Sequence, residues 1–171
     1  MKELEEERIS QLLGIINLYP AIRIMHFSDD SNLLSKKIGQ ICEENDYEYQ
    51  LNCTQDICYE EKRKEYAESG NIKIKQINLA QPRYAIQAKM YDYLFVTCEI
   101  SNEERASFLK KSYPAIKNAG LILLFIPKNN FTENHIWSGL LEENNFVATN
   151  TLDTFSNYDV IISKKMHGWG G

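Results

Sequence analysis

Residues 21–31 have the sequence AIRIMHFSDDS, and this stretch decides the fold. The first seven residues are mostly apolar and predict a buried strand, while the apolar spacing from residue 32 onward predicts a helix. The four residues between them, Ser28, Asp29, Asp30 and Ser31, form the predicted turn. A buried strand that leads directly into a helix is the opening unit of an α/β domain.

The turn at residues 28–31 contains no glycine. In nucleotide-binding α/β folds, glycines in the first strand-to-helix turn let the backbone close on the ligand, and the helix N-terminus faces that ligand. The strand and the helix therefore predict a scaffold, but the turn does not predict an activity. Asp29 and Asp30 also suit an ordinary role as caps of the following helix.

Strand and helix patterns alternate along the rest of the chain. Strands are predicted at 21–27, 49–54, 72–77, 91–98, 121–126, 146–151 and 158–164, and helices at 2–18, 32–45, 57–68, 103–117 and 132–143, the fourth helix being capped by NAG at 118–120. Residues 80–90 are open between a short helix and a loop. We therefore predict an α/β fold: a Rossmann-like, mostly parallel seven-stranded sheet with an antiparallel C-terminal hairpin strand and helices on both faces.

A length of 171 residues suits one domain. We expect residues 1–20 to form a helix that packs on the domain, residues 21–165 to form the α/β domain itself, and residues 166–171 to be a flexible tail. Gly39 lies within a predicted helix, where glycine is costly, and so indicates close packing rather than catalysis.

Charge and composition narrow the class of partner. The net charge is −5 and no dense block of Lys and Arg is present, so nucleic acid is not an expected partner. No stretch of the sequence is apolar for long enough to span a membrane, and the charged N-terminus MKELEEER does not resemble a signal peptide. These features predict a cytoplasmic protein with no membrane partner, whose four cysteines are reduced and structural.

Three stretches resemble the S-adenosylmethionine-dependent methyltransferases, in particular those of the small O-methyltransferase type. YDYLFV at 91–96 is similar to the family's fourth strand, which commonly opens with an aromatic-Asp pair. SYPAIKNAGLI at 112–122 resembles the helix end and turn that lead into the fifth strand, and YDVII at 158–162 resembles the reversed seventh strand. The resemblance covers most of residues 20–164 and implies S-adenosylmethionine as the cofactor.

The resemblance places the first turn against the methionine part of that cofactor. Ser28, Asp29 and Asp30 stand where family members have glycines. Two carboxylates at this place repel the cofactor's carboxylate but attract its ammonium or sulfonium, so the sign of the net effect is open.

The resemblance also implies residues for the adenosine part. An acidic residue that ends the second strand holds the ribose hydroxyls, and Asp56 is the nearest one, although Thr54 is an alternative for the strand end itself. After the third strand, Asn78 or Gln81 stands near the expected place of the adenine, and either is equally a plain loop amide.

A metal site is not expected. The metal-dependent branch of the family needs an Asp after the fourth strand and an Asp-Asn pair after the fifth, because Mg²⁺ takes oxygen ligands. This chain has TCE at 97–99 and IPKN at 126–129. Glu99 remains as a candidate general base at the carboxyl end of the fourth strand, with a solvated loop carboxylate as the simpler interpretation. His26, inside the first strand, is expected to be a packed histidine rather than a catalytic one.

Two hypotheses of different classes follow. The first is an S-adenosylmethionine-dependent methyltransferase-like protein that binds an adenosyl ligand and an acceptor of unknown identity, by way of Ser28, Asp29, Asp30, Asp56 and Asn78, with Glu99 as the base. The alternative is a catalytically inactive module of the same fold that binds a protein partner or a second copy of itself. A nicotinamide oxidoreductase is disfavoured because the GxGxxG turn is missing.

Overall fold

The protein is described by a computed structural model that covers residues 1–17 and 19–167. Its strands are β1 Arg23–Ser28, β2 Glu48–Cys53, β3 Ile72–Gln76, β4 Tyr91–Val96, β5 Ile116–Pro127, β6 Phe146–Leu152 and β7 Tyr158–Lys165. Its helices are α1 Glu6–Leu13, α2 Leu33–Asn45, α3 Asp56–Glu65, α4 Arg105–Ser112 and α5 Phe131–Glu143, with a short 3₁₀ turn at Tyr113–Ala115. The part of the predicted tail from residue 168 onward lies outside the described residues.

All seven strands form one sheet in the order β3-β2-β1-β4-β5-β7-β6. Strands β1 to β5 pair in parallel, whereas β7 inserts antiparallel between β5 and β6. This arrangement confirms the predicted fold. The order reverses between β1 and β4, so the turns that follow these two strands diverge and leave a crevice at the carboxyl edge of the sheet.

Helices cover both faces of the sheet. On one face, α1 and α2 bury apolar side chains against the strands, among them Ile9, Leu12 and Leu34. On the other face, α4 and α5 bury Phe108 and Leu141. Alternate residues of β1 enter the two cores, because successive side chains of a strand point to opposite faces. The sheet is therefore the rigid middle layer that positions the turns at its carboxyl edge.

The prediction for residues 103–120 was wrong in its boundaries. Helix α4 ends at Ser112, since Pro114 has no N–H to continue it, and β5 already begins at Ile116. The predicted cap at 118–120 instead lies inside β5, where Ala119 has a φ of 65° and the pairing with β4 shifts register. A Cβ on Gly120 would lie 2.6 Å from Ile116 Cγ2, so the irregular strand needs glycine there. Residues 80–90 form turns and bends rather than a helix.

Candidate functional site

The turn after β1 is closed by side-chain hydrogen bonds. The buried hydroxyl of Ser28 donates to the main-chain oxygen of Asp30 at 2.8 Å and accepts from the hydroxyl of Thr97 at 3.1 Å. The side-chain amide of Asn32 donates to the Ser28 hydroxyl at 3.1 Å and to the Asp30 carboxylate at 2.7 Å. The turn is therefore held by its own polar side chains.

Asn32, rather than Asp29 or Asp30, caps helix α2. Its side-chain oxygen accepts from the main-chain N–H of Ser35 at 2.9 Å. None of the residues 28–32 has a positive φ. This backbone consequently needs no glycine.

Asp30 is engaged within the protein. One carboxylate oxygen accepts from Asn32, and the other lies 2.7 Å from the amino group of Met1. Its main-chain oxygen also accepts from the thiol of Cys58 on α3 at 3.3 Å. The Asp30 carboxylate thus fixes the turn and the N-terminal segment.

Asp29 faces the crevice. Its Oδ2 atom accepts from the main-chain N–H of Glu99 at 3.1 Å, which joins the turns after β1 and β4. Its Oδ1 atom is buried and has no hydrogen-bond partner among the described residues. A buried carboxylate oxygen without a donor is costly, so this atom is a natural contact for a ligand.

A cleft of about 430 Å³ opens over the ends of β4 and β5, and we name it the β4–β5 cleft. Asp29 and Glu99 line it, together with Arg105 of α4 and Glu133 of α5. Its wall is about half apolar, and the apolar part includes Val96, Ile100, Leu124, Ile126 and Trp137. Cys98 also lines it, but burial raises the pKa of this thiol, so it stays protonated and is a poor nucleophile.

Arg105, the first residue of α4, reaches into the β4–β5 cleft. Its Nε atom donates to the main-chain oxygen of Ile100 at 3.3 Å, its Nη2 atom lies 2.8 Å from Glu133 Oε2, and its guanidinium stacks 5.1 Å from the centre of the Trp137 ring. The side chain is 9% exposed. The remaining Nη1 atom is buried and has no hydrogen-bond partner among the described residues.

A second cleft, of about 530 Å³, lies over the ends of β2 and β3, and we name it the β2–β3 cleft. Asp56 and Asn78 line it, as do Thr54 and Gln81. The Asp56 carboxylate accepts from the side-chain amide of Gln76 at 2.5 Å, and the Asn78 side chain accepts from the main-chain N–H of Ala80 at 2.9 Å. Glu99 lines both clefts, so the two meet at this residue.

His26 is fully buried beneath the crevice. Its ring nitrogens lie 2.9 Å from the Tyr49 hydroxyl and 2.7 Å from the Thr97 hydroxyl. Burial, together with the charge of Lys62, lowers the pKa of His26 to about 3. The imidazole is therefore a neutral, hydrogen-bonded link between β1, β2 and the residue that follows β4, and it does not reach solvent.

Known structures share this arrangement. An S-adenosylmethionine-dependent O-methyltransferase from Thermotoga maritima matches with a TM-score of 0.75 and 11% identity, over 100% of this chain and 69% of that one. A TehB-like methyltransferase from Corynebacterium glutamicum matches with a TM-score of 0.71 and 9% identity, over 92% and 86%. Phosphoethanolamine N-methyltransferase 2 of Haemonchus contortus, solved with S-adenosyl-L-methionine, matches with a TM-score of 0.67 and 9% identity, over 94% and 52%.

The chain has the fold of S-adenosylmethionine-dependent methyltransferases. It spans only about half the length of several of the methyltransferases it matches. No protein-family model matches the sequence, and no curated protein is similar to it. The methyltransferase fold therefore rests on the geometry of the chain and not on shared residues.

Within this methyltransferase fold, the predicted site residues fall into two groups. Asp29, Glu99, Asp56 and Asn78 line the two clefts. The polar groups of Ser28 and the carboxylate of Asp30 are used within the protein. Among the described residues, no cluster of His, Cys, Asp and Glu is arranged to hold a metal ion, and none of the helices is long and apolar enough to cross a membrane.

Sequence reasoning missed the side chains that close the β4–β5 cleft of the methyltransferase fold. Arg105 and Glu133 lie 28 positions apart, on two helices whose first turns meet at the carboxyl edge. Nothing in their spacing signals this pairing. Trp137 is buried, and its ring also supports the Arg105 guanidinium.

Proposed function

We propose that this protein binds S-adenosylmethionine across the carboxyl edge of its sheet and transfers the methyl group to an acceptor in the β4–β5 cleft. The observation that carries the proposal is the pair of clefts that meet at Glu99, at the switch point of a methyltransferase fold. One cleft suits the adenosine, and the other suits the acceptor. The methyl group of the cofactor has to lie where the two clefts meet.

The β2–β3 cleft is the proposed adenosine site. Asp56 accepts hydrogen bonds from the ribose hydroxyls there, since its carboxylate is exposed in the cleft and held in place by Gln76. Asn78 contacts the adenine with its side-chain amide. Asp56 begins α3 and Asn78 follows β3, and the parallel strands β2 and β3 hold these two positions side by side.

Asp29 is the proposed contact for the positive end of the cofactor. Its unpaired Oδ1 atom accepts from the ammonium group, and its charge favours the sulfonium. Ser28 and Asp30 act indirectly, because their hydrogen bonds hold the turn that presents Asp29. The cofactor is thus held by a side chain where a glycine-rich turn would use its backbone.

Bound S-adenosylmethionine supplies a sulfonium methyl group for in-line displacement, in which the methyl–sulfur bond breaks as the acceptor–methyl bond forms. The protein's part is mainly positioning. The apolar side chains of the β4–β5 cleft, among them Val96 and Ile126, offer packing surface for the acceptor. The Glu99 carboxylate, at the joint of the clefts, takes the proton that the acceptor loses.

A second candidate, a binding module without catalysis, draws on one observation. The turn after β1 is filled by its own hydrogen-bonded side chains, and the carboxylate of Asp30 is already paired. A module of this kind would bind a protein partner or a second copy of the chain. The cytoplasmic location indicated by the sequence stays a prediction under either function.

Isothermal titration of the protein with S-adenosylmethionine and with S-adenosylhomocysteine, under reducing conditions, tests the proposal. We expect dissociation constants in the micromolar range, about −8 kcal/mol in binding free energy. The absence of heat at millimolar concentrations of both ligands would overturn the proposed function and favour the binding module. Binding of S-adenosylhomocysteine alone would argue against methyl transfer.

A further inference from the structure

We propose that the β4–β5 cleft binds a neutral ligand with an amide group, whose carbonyl oxygen accepts a hydrogen bond from Arg105 and whose N–H donates to an acidic side chain of the cleft. As a statement about the methyl acceptor, this inference rests on the proposed function. As a statement about binding, it rests only on the side chains of the cleft.

The donor for the carbonyl oxygen is Arg105 Nη1. The guanidinium is nine-tenths buried and is fixed on three sides, by the Ile100 main-chain oxygen, by Glu133 and by the Trp137 ring. Nη1 alone has no partner among the described residues. A buried N–H in a fixed position is costly when it is unpaired, so a ligand oxygen placed there regains a lost hydrogen bond.

The matching acceptors line the same cleft. Glu99 is exposed and lines both clefts, and Asp29 has its buried Oδ1 atom unpaired. If the cofactor's ammonium takes Asp29, the Glu99 carboxylate remains for the ligand's N–H. A ligand with one hydrogen-bond acceptor and one separate donor can therefore pair with Arg105 and with an acidic side chain of the cleft.

Charge selects a neutral ligand over an anion. The positive charge of Arg105 is already balanced by Glu133 at 2.8 Å. Met1 also lines the cleft, but its amino group is paired with the Asp30 carboxylate at 2.7 Å. Asp29 and Glu99 add two carboxylates to the lining, so a carboxylate ligand would meet net repulsion. An amide offers the same oxygen without the charge.

Size and wall composition agree with a small, partly apolar molecule. The volume of about 430 Å³ lies within the range of small-molecule pockets. Val96, Leu124 and Ile126 line the floor of the cleft with apolar surface. The ligand body consequently packs on aliphatic side chains while its amide meets the polar rim.

Three probes with the same aromatic ring test the need for an amide group and for a neutral ligand: benzamide, benzoate and benzyl alcohol. Each is titrated into ¹⁵N-labelled protein without cofactor, with the Nε–H signal of Arg105 and the indole N–H signal of Trp137 as readouts. We expect benzamide to bind about tenfold more tightly than either of the other probes, because its separate carbonyl and N–H groups pair with Arg105 and with an acidic side chain, whereas a single hydroxyl pairs with one of them; one hydrogen bond to a charged group accounts for that ratio. Equal affinity of benzamide and benzyl alcohol, or tighter binding of benzoate, would overturn the proposal.

Two substitutions in the cleft and one control outside it sharpen the test. Arg105→Met should bring the affinity for benzamide down to that for benzyl alcohol. Arg63→Met is the matched control, because Arg63 also pairs with a glutamate, Glu60, and stacks on an aromatic ring but is 59% exposed on α3. Glu133→Gln, which keeps the shape of the side chain, should leave Arg105 uncompensated and shift the preference toward benzoate by about tenfold.

The Glu133→Gln variant keeps the proposal testable if Arg105→Met does not fold. An unchanged preference for benzamide in Glu133→Gln would contradict the charge argument and overturn the inference. Failure of the inference about the amide ligand is distinguishable from failure of the proposed function, because the probes are titrated without S-adenosylmethionine. Cofactor binding without the expected probe pattern removes this inference alone, whereas the pattern without cofactor binding removes the methyltransferase proposal alone.

Discussion

The main-chain N–H of Glu99 donates a hydrogen bond to the Asp29 carboxylate over 3.1 Å. This contact joins the turns after β1 and β4 across the point where the strand order reverses. It leaves the Glu99 carboxylate at the meeting point of the two clefts and orients Asp29 beside them. One hydrogen bond thereby sets the relative position of the two acidic side chains on which the proposed function depends.

Asp29→Asn should weaken the binding of S-adenosylmethionine about tenfold and that of S-adenosylhomocysteine less. The amide still accepts from the Glu99 N–H, but the charge that attracts the sulfonium is gone, and only the former ligand carries that positive charge. Isothermal titration of both ligands measures the difference. Asp46→Asn, at the C-terminal end of α2, is the control and should change neither affinity. Tighter binding of both ligands by Asp29→Asn would show that the carboxylate repels the cofactor.

Asp56→Ala should abolish or strongly weaken adenosyl-ligand binding while leaving the midpoint of urea unfolding nearly unchanged. The side chain is exposed and its one hydrogen bond is to Gln76, so its loss should cost no more than about 0.5 kcal/mol of stability. Titration calorimetry and urea unfolding check the two statements separately. Glu60→Ala, one turn further along α3, should alter neither quantity. An unchanged affinity in Asp56→Ala would remove this residue from the ribose site.

His26 should make the protein lose stability as the pH falls from about 6.5 toward 3. Burial holds the pKa of His26 at about 3 in the folded state, so between these values only the unfolded chain takes up the proton. The free energy of unfolding contributed by this residue should therefore drop by about 1.4 kcal/mol for each pH unit. Urea unfolding at several pH values measures the slope.

His26→Gln should flatten this pH dependence between pH 6 and pH 4.5. His135→Gln, at an exposed position on α5, is the control and should keep the slope of the unsubstituted protein. If all three proteins showed the same slope, other groups would be responsible for the acid sensitivity.

Gly39→Ala and Gly139→Ala should change stability in opposite directions. A Cβ on Gly39 would overlap the hydroxyl oxygen of Tyr66, whereas a Cβ on Gly139 would have no neighbour within 4 Å. Overpacking should cost about 1–3 kcal/mol at Gly39, and the higher helix propensity of alanine should add about 0.5–1 kcal/mol at Gly139. Thermal and urea unfolding compare the two variants with the parent protein. Stabilisation by both would mean that Tyr66 moves aside freely.

Sequence reasoning succeeded where the evidence is local. The apolar runs of β1 and β4 and the apolar periodicity of α2 predicted the order and type of the elements within a few residues of their observed bounds. The prediction failed at residues 113–120. The sequence there has the pattern of a helix cap, but the residues pair with β4 and form an irregular strand. The helix boundary there depends on pairing with a partner strand that is distant in the sequence.

By itself, the sequence determined the α/β alternation, the closing hairpin and the glycine-free turn, because burial periodicity and turn composition act over a few residues. Only the tertiary structure decided what surrounds the crevice. The pairing of Glu99 with Asp29 spans 70 positions, and that of Arg105 with Glu133 spans 28. Such contacts arise because parallel strands bring their carboxyl ends to one edge, and no local pattern records which side chains will meet there or which of their polar atoms will be left without a partner.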